Sequence, residues 1–233
     1  QRYVPILKEL QENNGMLSDP VLMSLAIETF GSTARYDRAI FDFLKKTKGT
    51  GVFSDLPPSI DLHLVKHREL RYGENPHQAA AFYRYEERDL RGLAKLTQHN
   101  GKELSFNNLL DLHAAYEVLN ELKGAAAVVI KHNNPTGIAE AETLVQAFAQ
   151  AHGCDPLSAF GGIIGLNRKV DLATAQKISE SGFMECVIAP AYDKRALKIL
   201  SQKKNLRVIE LKLTDLEELP YAIRQVDGGV LLQ

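Results

Sequence analysis

The stretch AAAVVIKHNNPTG, residues 125–137, passes from wholly apolar to wholly polar in one step. Its first six residues form the longest apolar run in the chain. A short run of this kind reads as a strand buried on both faces, which requires a sheet covered by helices on each side. Lys131 and His132 stand where that strand ends. The Asn-Asn-Pro-Thr-Gly of 133–137 reads as a sharp turn, since Pro fixes one dihedral and Gly permits a positive one. Ligands in open α/β sheets gather at the carboxyl ends of strands, so this end is a natural place for chemistry.

On either side of this strand the pattern alternates. Residues 107–122 read as a helix, with Leu109, Leu112, Tyr116 and Leu119 on one face and Gly124 as its stop. After the turn, 141–151 reads as a helix ending at Gly153, and 162–166 as a strand. Asp171 caps a helix through 179, 187–189 is a short strand, Asp193 caps a helix to 203, and 206–211 closes as a strand. Upstream, 79–85 is a strand. Earlier still, Asp19-Pro20 reads as an N-cap followed by Pro at the first helical position. Apolar residues recur near the helical period from Leu22 to Leu44, and Gly31 is a candidate break in that helix. Residues 47–59, with Gly49, Gly51, Pro57 and Pro58, read as a linker between domains. Strands alternating with helices predict an α/β layered domain around a central sheet.

Composition narrows the function classes. The chain has 233 residues, 45% of them hydrophobic, and a formal net charge of -1. With a pI of about 6.7 it lacks the basic excess of a nucleic-acid binder. No apolar run approaches the roughly 20 residues of a membrane helix. Cys154 and Cys186 form no CxxC, so neither a zinc site nor a disulfide scaffold is indicated, and a reducing, cytoplasmic setting is expected. The chain begins without Met, which suggests a piece of something longer.

Four stretches are rich in chemistry-bearing residues. Lys131-His132 pairs a competent general base with an ammonium able to stabilise developing negative charge. An ordinary strand end surfacing into solvent is the plainer reading of the local sequence. Residues 71–78, RYGENPHQ, bring Arg71, Tyr72 and His77 onto one bent segment, and the Arg fork suits phosphate or carboxylate. A decorated surface turn explains them equally. In DPLSAFGG, 155–162, the glycine pair before a strand would let backbone approach a ligand, though a plain tight turn needs it too. In SFNN, 105–108, helix capping alone accounts for Ser and Asn. His63, His67, His99, His113 and His152 lack metal-ligand spacing and read as surface or core residues. Lys203-Lys204 reads as a solvated pair at a helix end.

Taken in order, RYGENPHQ, SFNN, VIKHNNPTG, DPLSAFGGII and CVIAP resemble the bifunctional family that joins AICAR transformylase to IMP cyclohydrolase in purine biosynthesis. Residues 26–44, AIETFGSTARYDRAIFDFL, resemble the end of that family's cyclohydrolase domain. The resemblance implies two domains: 1–50, the C-terminal end of a cyclohydrolase-like domain, and 51–233, the first half of a transformylase-like domain. It implies a cytidine-deaminase-like subdomain fold. It also implies transfer of a formyl group from 10-formyltetrahydrofolate to the 5-amino group of AICAR (an aminoimidazole carboxamide ribonucleotide), with no metal required.

By the same resemblance, Lys131 and His132 are the catalytic pair. Arg71, Tyr72, Gly73 and His77 bind AICAR, joined by Asn108, Phe160, Gly161 and the less secure match Glu185. A homodimer with active sites at the subunit interface is implied, with AICAR and folate as small-molecule partners and neither nucleic acid nor membrane. Two departures stand out. Many family members carry Cys where this chain has Thr136, so a thiol there is not needed for the chemistry. The chain also stops near the middle of the transformylase domain, so inactivity in isolation is expected. Rival readings are a non-catalytic nucleotide-binding module, a zinc deaminase (whose H-x-E and PCxxC ligands this sequence lacks) and a structural fragment making dimer contacts.

Overall fold

The computed structural model describes residues 2–47, 56, 59–86, 90–212 and 221–233, apart from the side chains at 42 and 45–47. The chain divides into two compact units, Gln1–Ile60 and Asp61–Gln233. The glycines and prolines at 49, 51, 57 and 58 that suggested a linker lie outside the described residues.

The first unit is a pair of helices, α1 (Tyr3–Glu12) and α2 (Asp19–Thr47). Gly31 does not divide α2, which runs unbroken, and Asp19 is its first residue rather than the cap before it. Propensity alone costs a mid-helix Gly only about 1 kcal/mol, too little to break so long a helix. Glu9 fixes the turn between the helices by accepting the Ser18 backbone N–H at 3.0 Å and the Ser18 hydroxyl. Those bonds favour the charged carboxylate and hold it below its ordinary range.

The second unit is a mixed α/β domain. In chain order it holds β1 (Leu64–Leu70), β2 (Ala80–Tyr85), β3 (Thr97–Asn100), α3 (Phe106–Glu121), β4 (Ala125–Lys131), β5 (Asn134–Ala141), α4 (Leu144–Cys154) and α5 (Pro156–Ala159). There follow β6 (Ile163–Leu166), α6 (Leu172–Glu180), β7 (Cys186–Ala189), α7 (Lys194–Leu200), β8 (Arg207–Glu210), β9 (Ile223–Val226) and β10 (Gly229–Leu232). Six strands form the central sheet in the order β3-β8-β7-β6-β4-β5, while β1-β2 and β9-β10 are separate hairpins. β6, β7 and β8 are mutually parallel, and β4 is antiparallel to both β6 and β5.

The buried central strands alternate their side chains between two cores. Ala126, Val128, Ile130, Cys186, Ile188 and Ile209 face α3, packing on Leu112, Tyr116 and Leu119. Ala127, Val129, Ile164, Val187 and Val208 face the other way, onto Phe148, Ile178, Ala196 and Leu200 of α4, α6 and α7. This is the helix-sheet-helix layering that the apolar run at 125–130 predicts.

The segment after that run differs from its expected form. The turn is only His132-Asn133, with φ of 55° and 61°, and Lys131 pairs with Asn134 across it. Two positive-φ central residues mark a type I′ hairpin. Asn-Pro-Thr-Gly therefore lies within β5, and the helix expected from 141 starts at Leu144. Pro135 is tolerated because β5 is an edge strand. Gly137 is demanded by close packing: a Cβ there would lie 1.9 Å from the Ala151 carbonyl of α4.

Two helix ends also depart from expectation. Asp193 makes no side-chain cap for α7 and instead pairs with Lys169. Lys203 is partly buried and donates to the Gly182 carbonyl at 2.8 Å, with burial lowering its pKa, so it is not a solvated helix end.

Candidate functional site

The register of the sheet assembles one edge. Ile130 at the end of β4 pairs with Ile163 at the start of β6, Ile163 with Cys186 at the start of β7, and Cys186 with Arg207 at the start of β8. The carboxyl end of β4 is thus level with the amino ends of three parallel strands. The strand-end rule describes β4 alone, because the same edge is the amino edge of β6, β7 and β8.

Lys131 reaches along this edge and donates to the Phe160 carbonyl at 2.9 Å. An ammonium has three donors, so two stay available. Asp155 caps α5 by accepting from the Ser158 N–H at 3.0 Å. Its carboxyl is held below the usual range, chiefly by Ser158 and least by the Lys131 ammonium. Gly161 follows with φ of 75°, a conformation that favours glycine, and its N–H donates to the Phe183 carbonyl at 2.8 Å. The ring of Phe160, 59% exposed, packs at a tilt on Phe183 with centroids 5.7 Å apart.

His132 is exposed at the tip of the hairpin. The next residue's backbone N–H is held by Asp111 of α3, at 2.7 Å. Asp111 therefore fixes the turn that presents the Lys-His pair, a role that sequence reasoning missed.

The start of α3 joins the same edge. Ser105 and Asn108 form a reciprocal capping box: the Ser105 hydroxyl accepts the Asn108 backbone N–H, and the Asn108 side-chain Oδ1 accepts the Ser105 backbone N–H at 3.1 Å. Asn108 is only 8% exposed and spends its oxygen on this cap. Three bonds dock the RYGENPHQ segment onto this helix start. The Arg71 N–H donates to the Leu104 carbonyl at 3.0 Å, the Phe106 N–H to the Tyr72 carbonyl at 3.1 Å, and the Asn107 amide to the Glu74 carbonyl at 3.2 Å. The Arg71 guanidinium lies 4.7 Å over the Tyr72 ring, a cation–π contact that orients it. Gly73 is buried, its N–H donating to the Gln78 carbonyl at 2.8 Å. His77 is exposed, and among the described residues no hydrogen bond ties its ring to this network.

Glu185, just before β7, completes the edge. Its N–H donates to the Gly162 carbonyl at 2.9 Å, and its carboxylate receives Arg207 Nη1 at 2.5 Å. Arg207 is buried at 4% exposure and was not a sequence candidate. An arginine inside the largely apolar LRVIEL of 206–211, whose other charge is Glu210, was the available signal, since a buried cation needs a partner.

The other histidines do not gather. His63, His99 and His113 each face one glutamate, Glu86, Glu210 and Glu117 respectively. His67 packs on Phe82, and His152 on Phe148. Among the described residues no group of three or more His, Cys, Asp or Glu side chains could hold a metal ion, and no helix is long and apolar enough to cross a membrane. Both cysteines are free. Cys154 is exposed, whereas Cys186 is buried and its thiol is pushed far up by that burial.

Comparison with known proteins gives this edge a context. Residues 1–233 match the family described as AICARFT/IMPCHase bienzyme. The chain is 41% identical over 235 residues to the bifunctional purine biosynthesis protein PurH of Caldicellulosiruptor saccharolyticus, covering 99% of this chain and 44% of that protein. It is 39% identical to PurH of Neisseria meningitidis, covering 98% and 44%, and 44% identical to PurH of Oceanobacillus iheyensis, covering 90% and 40%. The chain thus spans less than half the length of the curated relatives it matches. With the match running from its first residue to its last, it belongs to the AICARFT/IMPCHase bienzyme family.

Proposed function

We propose that this chain carries part of an AICAR formyltransferase site within a bifunctional enzyme that also closes the product to IMP. In this reading residues 1–50 are the end of the cyclohydrolase-like domain. Residues 51–233 are the first half of a transformylase-like domain, of cytidine-deaminase-like fold and cytoplasmic setting. The observation that carries it is the meeting of the Lys131-His132 hairpin, the Phe160-Gly161 loop and the α3 start with its docked Arg71 segment at one sheet edge.

The chemistry follows from these side chains. His132 takes a proton from the 5-amino group of AICAR as that nitrogen attacks the formyl carbon of 10-formyltetrahydrofolate. A new C–N bond forms, and Lys131 stabilises the oxyanion of the tetrahedral intermediate. Collapse breaks the bond from the formyl carbon to the folate nitrogen, which leaves with the proton that His132 returns. Arg71, Tyr72, Gly73 and His77 bind the nucleotide, while Asn108, Phe160, Gly161 and Glu185 orient it. The folate is a cosubstrate, and no step calls on a metal. The intact enzyme works as a homodimer, and this segment is inactive alone.

Calorimetric titration of this chain with AICAR, beside its Arg71→Ala variant, tests the binding half. Formyl transfer in a protein of the relatives' full length carrying this segment tests the chemical half. Binding lost with Arg71 and transfer lost with Lys131 are expected. Transfer undiminished by Lys131→Ala would overturn the catalytic assignment in favour of a non-catalytic nucleotide-binding module.

A further inference from the structure

We propose that Arg207 is a positioning residue, which holds the Glu185 carboxylate in place for the nucleotide and at the same time pins the approach to α3. The inference rests on the reading above that Glu185 touches the substrate. Three bonds define the arrangement. Arg207 Nη1 donates to Glu185 Oε2 at 2.5 Å, Arg207 Nε to the Glu103 carbonyl at 3.2 Å, and the Arg207 backbone N–H to the Glu185 carbonyl at 3.0 Å.

The burial of the two partners is unequal. The Arg207 side chain is 5% exposed and that of Glu185 36%. The cation is thus sunk in the protein, while the carboxylate it holds keeps an opening to the edge. Arg207 occupies the α3 side of β8 at the position that pairs with Cys186. Burial pushes the Cys186 thiol up, and Arg207 opposes that rise while Glu185 and Asp111 add to it. A cation this buried is a weak choice as a purely stabilising element, because well-packed apolar residues often serve stability as well or better. The geometry accounts for an arginine there in another way. Its rigid fork reaches two acceptors at once, with Nε on the segment leading into Leu104, which anchors Arg71, and Nη1 on Glu185. Glu185 Oε2 is thereby committed, and Oε1 is the oxygen left to accept an N–H of the bound nucleotide.

The test is a double-mutant cycle in a protein of the relatives' full length carrying this segment, with AICAR affinity and kcat read separately. Arg207→Met should weaken AICAR binding about 10-fold or more when Glu185 is present, the order expected for lost charge-assisted hydrogen bonding. In a Glu185→Gln background it should weaken binding less than about 2-fold, because sites coupled through one contact are not additive. The Arg207 Nη1–H resonances, followed without ligand, should be slow to exchange in the unmodified chain and fast in Glu185→Gln. Arg207→Lys, which keeps the charge and loses the fork, should recover only part of the affinity, and it carries the cycle if Arg207→Met does not fold. An equal loss of affinity in both backgrounds would overturn the proposal. So would a Glu185→Gln change with no effect on affinity. In that case protected Nη1–H resonances would show that the substrate reading of Glu185 failed and not the link between the two side chains.

Discussion

Lys131 Nζ donates to the Phe160 carbonyl at 2.9 Å, so the strand that ends in the Lys-His pair is fastened to the loop that opens β6. The bond spans the two motifs that sequence alone left separate. It also places the ammonium over backbone, where it is held in one orientation before any ligand arrives. Preorganised donors of this kind stabilise a developing oxyanion without reorganising during the reaction.

Lys131 and Arg71 should separate cleanly in kinetics. In a protein of the relatives' length, Lys131→Ala should lower kcat about 10²–10³-fold, the loss typical of one oxyanion donor, with a smaller change in AICAR affinity. Arg71→Ala should do the reverse, weakening AICAR about 10- to 100-fold, as expected for hydrogen bonds to a charged group. Steady-state kinetics with direct binding measurements checks this. Equal loss of both parameters in either variant would remove the division of labour.

His132 is the base of the proposed mechanism and a positive-φ residue of the hairpin, two roles that substitution can pull apart. Its φ of 55° is in the left-handed region, which Asn tolerates and β-branched residues do not. His132→Asn should leave the thermal midpoint nearly unchanged while removing the base, at a cost of about 10²–10⁴ in turnover. His132→Val should in addition destabilise the fold by about 1–2 kcal/mol. Thermal unfolding beside formyl-transfer assays reads both effects.

Asp155 predicts an acid-dependent contribution. Its folded-state pKa is depressed, first by the Ser158 hydrogen bonds and last by Lys131. A depressed carboxylate adds stability that is fully present above its unfolded pKa of about 3.9 and is lost as pH falls through the lower folded value. The stability gap between wild type and Asp155→Ala should therefore hold at neutral pH and close in acid. Urea unfolding across that range is the measurement, and a gap that stays constant down to about pH 2 would contradict it.

Asn167 is the strongest stability prediction away from the site. Its side-chain oxygen accepts the Ala126 N–H at 2.7 Å, and its amide donates to the Gly124 carbonyl at 2.8 Å and the Leu122 carbonyl at 3.3 Å. Asn167→Leu leaves the buried Ala126 N–H without its acceptor at the entry to β4 and should cost about 1–3 kcal/mol for an unsatisfied donor. The denaturant midpoint should drop with an unchanged slope, as expected when stability falls and the exposed area does not change.

The sheet was legible where its strands are buried on both faces. Ala125–Lys131 and the apolar cores of β6, β7 and β8 announce themselves by composition. Of the edge and hairpin strands only β2 was legible, matching the strand expected at 79–85. β1, LVKHREL, is largely charged and half exposed, and β3, TQHN, is wholly polar. β5 was hidden by its own Pro135 and Gly137, residues that punctuate turns in most contexts. Here they are permitted by an edge position and required by contact with α4. At the site, ionisable residues next to turn formers were visible as candidates. Asp111 and Arg207 were not, because one lies inside a helix and the other inside an apolar run, and only the tertiary contacts give them partners.

The His132-Asn133 hairpin also bears on the order in which the molecule assembles. β4 and β5 meet across two residues, whereas β3 meets β8 through pairs such as His99 and Glu210, 111 residues apart. A hairpin closes in roughly 1–10 μs, while distant strand pairing must first overcome a large loop-closure entropy. The His132-Asn133 turn is therefore expected to form early on the folding route, and the α3 start, on which the Arg71 segment docks, to gain its outer strand late. Slow refolding phases should report the docking of the β3–β8 side of the sheet, with the Lys-His turn already in place.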